Sequence, residues 1–252
     1  MPILETAKVI GRAEINSGLF VFRLESPQIA GLAKPGQFLE IDPGRRFFLR
    51  RPFSIQDADS GILEILIKVV GEGTAELVEN TGKWNIFGPL GRGFDTEAEG
   101  DAVLVGGGVG VAPLKMLYRE FQRRNRDSTF LIGARTEAEI PMASDDPVRS
   151  ELVIATDDGS AGFQGTVVEL LQDALPSRLN PYIYACGPLP MLKALKEYMR
   201  EKELPGEFSL ENRMACGMGV CQGCGIPSGD AYKMVCKDGP VLNVEEIGEE
   251  YL

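Results

Sequence analysis

Four of the five cysteines lie close together near the C-terminus, with the spacing Cys-x4-Cys-x2-Cys-x11-Cys: Cys216, Cys221, Cys224 and Cys236. This spacing is typical of plant-type [2Fe–2S] sites, because three thiolates on one tight loop and a fourth on a returning segment can enclose two iron ions. Structural zinc sites with four cysteines usually carry two Cys-x2-Cys pairs, and this segment has one. The spacing therefore favours an iron–sulfur cluster, with structural zinc as the alternative.

The composition indicates that any chemistry belongs to a cofactor. The chain has no histidine, which removes the commonest general base and any Ser-His or Cys-His nucleophile pair. Its net charge of −11 disfavours nucleic acid as a partner. No apolar run approaches the roughly 20 residues that span a bilayer, and the N-terminus lacks the pattern of a secretory signal. We therefore expect a cytoplasmic protein that does not enter a membrane.

The 252 residues suffice for two domains and a small appendage. Residues 1–98 contain short β-rich runs separated by Gly and Pro, which predicts a small antiparallel barrel or sandwich. The predicted strands are 8–15, 19–24, 37–41, 52–56 and 62–70, with a short helix at 74–80.

Residues 99–207 follow a different pattern, in which strands alternate with helices. The predicted strands are 102–105, 129–132, 152–156 and 182–185, and the predicted helices are 113–124, 166–174 and 190–203. Such alternation predicts a parallel sheet with crossover helices. Residues 208–252 are rich in Gly and Cys with little periodicity, so we expect something other than a hydrophobic core to hold them.

A glycine loop follows the strand at 102–105 and reads Gly106-Gly107-Gly108-Val109-Gly110-Val111-Ala112-Pro113. Proline is favoured in the first turn of a helix, and exposed backbone N–H groups at a helix start suit a pyrophosphate. The strand–loop–helix context favours a dinucleotide site over a plain tight turn.

Two further motifs are weaker when taken alone. Arg50-Arg51-Pro52-Phe53-Ser54-Ile55 precedes Lys68-Val69-Val70-Gly71-Glu72-Gly73-Thr74, and the alternative to a phosphate site is a solvated strand edge. Tyr184-Ala185-Cys186-Gly187-Pro188 ends a predicted parallel strand, where ligands of open α/β sheets bind. The alternative there is that Cys186 is only a small buried hydrophobe.

Taken in order, these motifs resemble the ferredoxin–NADP⁺ reductase family over essentially the whole chain. The C-terminal sequence from Leu210 to Gly217 and from Val235 to Val241 narrows the resemblance to the electron-transfer subunits of NAD-dependent dihydroorotate dehydrogenase (class 1B). It implies a β + α/β fold: an antiparallel β-barrel flavin domain at 1–98, a parallel-sheet dinucleotide-binding domain at 99–207 and a small [2Fe–2S] domain at 208–252. Reductases of the wider family often end in an aromatic residue over the flavin, whereas this chain continues into the cluster segment.

The resemblance also implies roles for particular residues. Ser54, near the reactive flavin nitrogen, and Cys186, near the nicotinamide, would be catalytic, and the four clustered cysteines would hold the cluster. The residues that would bind FAD are Arg51, Pro52, Phe53, Ser54, Lys68, Val69, Val70, Gly73 and Thr74. Those that would face the pyridine dinucleotide are Gly107, Gly108, Val109, Gly110, Val111, Asp158, Gly187 and Pro188.

The implied function is electron transfer between NADH and a partner flavoprotein through FAD and [2Fe–2S], in pyrimidine biosynthesis. The partner would be an FMN-containing catalytic subunit, in a heterotetramer of two subunits of each kind. Dihydroorotate oxidation would occur on that partner, since two domains and a cluster leave no room for a catalytic barrel of about 250 residues.

Two alternatives stay open. One is a reductase or adaptor subunit of another sulfide- or ferredoxin-linked oxidoreductase. The other, of a different class, is a zinc- and nucleotide-binding regulatory protein. For the dinucleotide, Arg135 could bind the 2′-phosphate of NADP, but Glu137 and Glu139 oppose a phosphate, which favours NAD.

Overall fold

In the computed structural model, which describes residues 1–174 and 180–252, the N-terminal part is a closed antiparallel barrel with the strand order β1-β2-β5-β4-β3-β6. Side chains alternate along the strands, so residues such as Phe22 and Ile65 fill the interior with Trp84. The strands are β1 (Ile3–Asn16), β2 (Leu19–Glu25), β3 (Phe38–Ile41), β4 (Arg51–Asp59), β5 (Ile62–Lys68) and β6 (Lys83–Leu90), with helices α1 (Pro27–Leu32) and α2 (Glu72–Glu79). The barrel prediction is confirmed, but β6, which pairs with β1 and closes the barrel, was not predicted.

The central part is a seven-stranded sheet with the order β10-β9-β8-β7-β11-β12-β15. Its strands are β7 (Asp101–Gly107), β8 (Ser128–Ala134), β9 (Val153–Thr156), β10 (Phe163–Gln164), β11 (Pro181–Cys186) and β12 (Gly206–Ser209), with helices α3 (Val111–Arg123), α4 (Val167–Ala174) and α5 (Leu189–Glu201). These six strands pair in parallel, which confirms the predicted parallel sheet, although β10 and β12 were not predicted. The order of connection reverses between β7 and β11, which places a ligand crevice at their carboxyl ends.

The C-terminal segment forms a hairpin of β13 (Gly225–Ser228) and β14 (Ala231–Met234), and then β15 (Val241–Asn243). β15 pairs antiparallel with β12 and so extends the central sheet. The expectation that this segment lacks a hydrophobic core is wrong. Ile226, Val235, Leu242 and Ile247 are buried in the same core as residues of β7 and α5, because the sheet supplies the apolar surface that the segment's own sequence does not.

Helix α3 joins the barrel to the sheet. Its residue Met116 is buried among the barrel side chains, and Lys115 beside it is paired with two carboxylates. Lys115 Nζ lies 3.3 Å from Glu64 Oε2 of β5 and 2.5 Å from Asp146 Oδ2. Arg119 pairs with Asp57 of β4. The helix that begins at the glycine loop is thus fixed to the barrel strands by both apolar and ionic contacts.

Among the described residues, we find no helix with the length and apolar character needed to cross a membrane.

Candidate functional site

The glycine loop and the Cys186-Gly187-Pro188 motif lie against each other at the carboxyl ends of β7 and β11. Cys186 pairs with Gly106 in the parallel register of these strands. A Cβ on Gly110 would clash with the carbonyl group of Cys186, so only glycine permits this approach. The loop then runs directly into α3, whose first-turn N–H groups suit a pyrophosphate.

A cavity of about 630 Å³ opens beside this loop. Of the residues predicted to face a dinucleotide, it is lined by Gly107, Gly108 and Pro188. Asp158 is not among the lining residues; its carboxylate accepts hydrogen bonds from the N–H and hydroxyl of Ser160, and the neighbouring Asp157 lines the cavity instead. The other lining residues are Lys68, Gly133, Ala134, Arg135, Glu139, Thr166, Val167, Val168, Pro190, Met191 and Ala194.

A second cavity, of about 290 Å³, lies where the three parts of the chain meet. The barrel contributes Phe38, Arg51, Pro52, Phe53, Ser54, Leu66, Lys68, Val70 and Thr74. Val109 and Ala112 line it from the glycine loop and α3, while Ser209, Leu210, Glu211, Asn212, Met214 and Pro240 come from the chain around the cysteine segment. Val69 and Gly73 are not among its lining residues, although both are next to residues that are. Lys68 lines both cavities, so the two sites adjoin at this residue.

Arg51 and the start of α2 form the polar end of the smaller cavity. The Arg51 guanidinium lies against Gly73, where an added Cβ would stand 2.8 Å from its Nε, and its Nη1 donates to the carbonyl of Leu49 at 2.6 Å. The Thr74 hydroxyl accepts from the N–H of Val70 at 2.9 Å and donates to the carbonyl of Gly71. A guanidinium beside a helix start fits a bound diphosphate such as that of FAD.

The two predicted catalytic residues lie in different surroundings. Ser54 is half-buried on β4 and lines the smaller cavity. Cys186 is buried at the end of β11; burial and the charge of Glu211 raise the pKa of its thiol, although a hydrogen bond with Ser209 opposes this. The Cys186 thiol therefore stays protonated near neutral pH, which suits a packing role better than a nucleophilic one.

The four clustered cysteines lie on one loop and a returning segment, and backbone N–H groups point at three of their sulfur atoms. Cys224 Sγ and Cys236 Sγ are 3.2 Å apart. Gly219 N donates to Cys236 Sγ at 3.0 Å, Cys221 N donates to Cys216 Sγ at 3.4 Å, and Cys236 N donates to Cys224 Sγ at 3.4 Å. Among the described residues, no three or more Cys, Asp or Glu side chains stand close enough together to hold a metal ion as they are. Four thiols, three of them with amide donors at their sulfurs, are nevertheless the donor set that an iron–sulfur cluster requires.

Glu40 is a residue of this region that the sequence did not indicate. It is buried on β3, opposite Pro52 of the flavin motif, and its carboxylate lies against Gly217 of the cysteine loop. Burial raises its pKa, while the charge of Arg50 lowers it, and Oε1 has no hydrogen-bond partner among the described residues. A carboxyl in an alternating strand gives no signal that it will be covered by a loop almost 180 residues away.

Comparisons with known proteins agree with this arrangement. Residues 211–248 match the family model for the iron-sulfur cluster binding domain of dihydroorotate dehydrogenase B, and residues 104–197 match that for the oxidoreductase NAD-binding domain. Among solved structures, a chain from a study of the NADH-dependent reduced ferredoxin-NADP oxidoreductase is 29% identical with a TM-score of 0.87, covering 97% of this chain and 90% of that one.

Two curated relatives bear the name dihydroorotate dehydrogenase B (NAD(+)), electron transfer subunit. The protein of Desulforamulus reducens is 38% identical, with 94% of this chain and 95% of that protein aligned. The protein of Geobacillus thermodenitrificans is 37% identical, with 96% and 98% aligned. On this similarity over nearly its full length, the chain belongs to the family of electron transfer subunits of dihydroorotate dehydrogenase B.

Proposed function

We propose that this chain accepts hydride from NADH on bound FAD and delivers single electrons through a [2Fe–2S] cluster to the catalytic subunit of dihydroorotate dehydrogenase. The observation that carries the proposal is the smaller cavity, which is lined jointly by the Arg51–Ser54 strand, the glycine loop and the chain leading into Cys216. A flavin held there adjoins both the dinucleotide cavity and the cysteine loop. When bound, FAD supplies the change from a two-electron donor to one-electron steps.

The chain's own residues bind and enclose these groups. Arg51 and the start of α2 at Thr74 hold the FAD diphosphate, and the glycine loop with α3 holds that of NADH. Leu210 to Asn212, which line the smaller cavity, would cover the flavin from the cluster side. We propose that Ser54, which lines the smaller cavity, and Cys186, which is buried beside the glycine loop, act near the point where the two cofactors meet. We propose domain limits of 1–98, 99–207 and 208–252. Strand β12 crosses the boundary between the second and third of these domains.

The exposed side of the cysteine loop is our proposed exit for electrons. Cys221 is exposed, and Met218 and Val220 beside it present apolar side chains to solvent; Val220 is 78% exposed. A cavity of about 460 Å³ lies next to them; most of its lining residues are apolar, including Met218 and Leu90, and Gln37 and Lys237 are its polar members. An apolar surface around the outer ligands suits a lasting protein contact. We propose that the FMN-containing catalytic subunit docks here, in a heterotetramer of two subunits of each kind, in the cytoplasm.

The docking surface can be tested with one matched pair of variants. Val220→Asp places a charge at the proposed contact and should abolish co-elution with the catalytic subunit from the same organism, while NADH still reduces the flavin. Val153→Asp is the control, because Val153 is 41% exposed on β9, near the opposite edge of the sheet from β15. If Val220→Asp still assembles, or if both variants fail alike, the proposed surface is wrong.

The electron path is tested by anaerobic titration of the purified chain with NADH, recorded by visible absorbance and electron paramagnetic resonance. We expect flavin bleaching followed by the rhombic signal of a reduced two-iron centre. The chain alone should not oxidise dihydroorotate. Bound zinc, with neither FAD nor iron–sulfur recoverable by reconstitution, contradicts the proposal and favours the zinc- and nucleotide-binding regulatory protein.

A further inference from the structure

One end of the larger cavity carries two carboxylates and one arginine. Arg135 follows the carboxyl end of β8, and its Nε lies 2.8 Å from Glu139 Oε2. Asp157, which follows β9, lines the same end. Hydrogen bonding to Glu139 and the negative charges of Glu139 and Asp157 raise the pKa of Arg135. Arg135, Glu139 and Asp157 together give this end a net charge of −1, and Arg135, the arginine that lines it among the described residues, is already paired.

The position of this group identifies the part of the dinucleotide that it faces. The glycine loop takes the diphosphate at the middle of the sheet, and the nicotinamide half must point towards the smaller cavity, where Lys68 and Val109 lie. The adenosine half then extends the other way, over the carboxyl ends of β8 and β9. Arg135, Glu139 and Asp157 are the charged side chains that line the cavity there.

An arginine at this place is ambiguous by itself, because nucleotide-binding folds use arginine for the 2′-phosphate of NADP and a carboxylate for the free 2′-hydroxyl of NAD. We infer that Glu139 decides the specificity of this chain for NADH by holding Arg135 in an ion pair and presenting a carboxylate to the adenosine ribose. A 2′-phosphate would have to displace Glu139 from Arg135 and approach both Glu139 and Asp157. This inference rests on the proposed function, since it concerns the same dinucleotide site.

The structure distinguishes the roles of Glu137 and Glu139, which the sequence alone treats as equivalent. Glu137 and Glu139 follow Arg135 by two and four residues along the chain, and both are exposed. The backbone N–H of Glu137 donates to Ser160 Oγ at 2.7 Å, and its carboxylate pairs with no cation among the described residues. Glu137 also does not line the cavity. It is therefore a natural control of the same charge in the same turn.

The test is the binding of NAD⁺ and NADP⁺ to the oxidised holoprotein, measured by titration calorimetry for wild type, Glu139→Gln and Glu137→Gln. Releasing Arg135 from Glu139 should tighten NADP⁺ binding about tenfold, the gain typical of one charge-assisted hydrogen bond, and should weaken NAD⁺ binding a few-fold. Glu137→Gln should change neither dissociation constant more than about twofold, the level of a nearby unpaired surface charge. Adding Arg135→Ala to Glu139→Gln should remove the NADP⁺ gain.

Ionic strength provides a further readout. Because the Arg135 side chain is 77% exposed, the NADP⁺ gain should shrink as salt is raised, while NAD⁺ binding changes little. The inference is overturned if the ratio of the NAD⁺ and NADP⁺ dissociation constants is unchanged in Glu139→Gln. It is also overturned if that ratio changes equally in Glu137→Gln. A wild-type protein that binds neither dinucleotide overturns the proposed function as well, so the two failures are distinct.

Discussion

Replacing Lys115 with methionine should destabilise the protein more than the loss of an ordinary ion pair. The Lys115 side chain is 6% exposed and forms ion pairs with two carboxylates, Asp146 and Glu64, whose side chains are 14% and 23% exposed. Methionine keeps most of the volume and the apolar contacts of the lysine stem. The variant therefore removes the cation and leaves two partly buried negative charges. Among the described residues, Glu64 keeps an ion pair with Arg23 at 3.6 Å, and Asp146 keeps the nearby charge of Arg119 and a hydrogen bond from the N–H of Val148.

Breaking a buried pair by removing one partner costs about 3–5 kcal/mol, because the remaining charge is stranded. Both carboxylates keep some access to water, so we expect the lower end, about 3 kcal/mol. For a chain of this size that corresponds to a fall in Tm of roughly 6–12 °C. The assay is thermal and urea unfolding of the holoprotein, with FAD content matched between variants.

Two further variants make this reasoning refutable. Arg200→Met removes a cation from an exposed pair with Glu249 and should cost less than about 1 kcal/mol. Adding Glu64→Gln and Asp146→Asn to Lys115→Met should recover part of the lost stability, because no stranded charge remains. The argument is refuted if Lys115→Met is as stable as wild type, or if neutralising both carboxylates lowers its stability further.

Four other substitutions have defined outcomes. Arg51→Ala should weaken FAD binding about tenfold or more, seen as loss of flavin absorbance on gel filtration; full retention would exclude Arg51 from the FAD site. Cys224→Ser should prevent cluster loading, measured as iron and sulfide per chain, whereas Cys186→Ser should load normally; loss of iron in both would contradict our assignment of ligands. Burial and the hydrogen bond to Glu151 raise the pKa of Tyr118 to about 12, so its contribution to stability is complete below pH 10 and is lost between about pH 10 and 12. Tyr118→Phe should flatten that alkaline fall in urea unfolding by up to about 1.4 kcal/mol per pH unit, and an unchanged slope would refute this.

Periodicity in the sequence predicted most of the barrel and the central sheet, and its failures have physical reasons. Strand β6 alternates in burial from Trp84 to Leu90, but Gly88 and Pro89 within it read as a turn. The first part of β1 was missed because its outward side chains include apolar residues such as Leu4, which obscure the alternation. The core of the C-terminal segment was missed because its apolar residues are irregularly spaced and are buried by β7 and α5.

The candidate site likewise has parts that the sequence predicts and parts that it does not. The glycine loop, the Arg51 motif and the four cysteines are local signals, since each needs particular residue types within a short stretch. Other features depend on contacts between distant parts of the chain. These are the wall formed by Leu210 and its neighbours, the carboxyl of Glu40 under the cysteine loop and the place of Asp157 in the lining of the larger cavity. No pattern in a single sequence reports such contacts.

The way in which the cysteine segment is attached bears on how electrons cross the molecule. On its barrel side, Arg92 N donates to the carbonyl of Gly239 at 2.5 Å, and on its sheet side, β15 pairs with β12 from Val241 onwards. The segment 208–252 is therefore bonded to the barrel and to the sheet within a few residues of each other, just after its last cysteine. Helix α3 fixes the same two parts to each other through Lys115. With all three parts joined in this way, the fold sets the separation between the smaller cavity, our proposed flavin site, and the cysteine loop. We therefore expect electron transfer between them to need no domain movement.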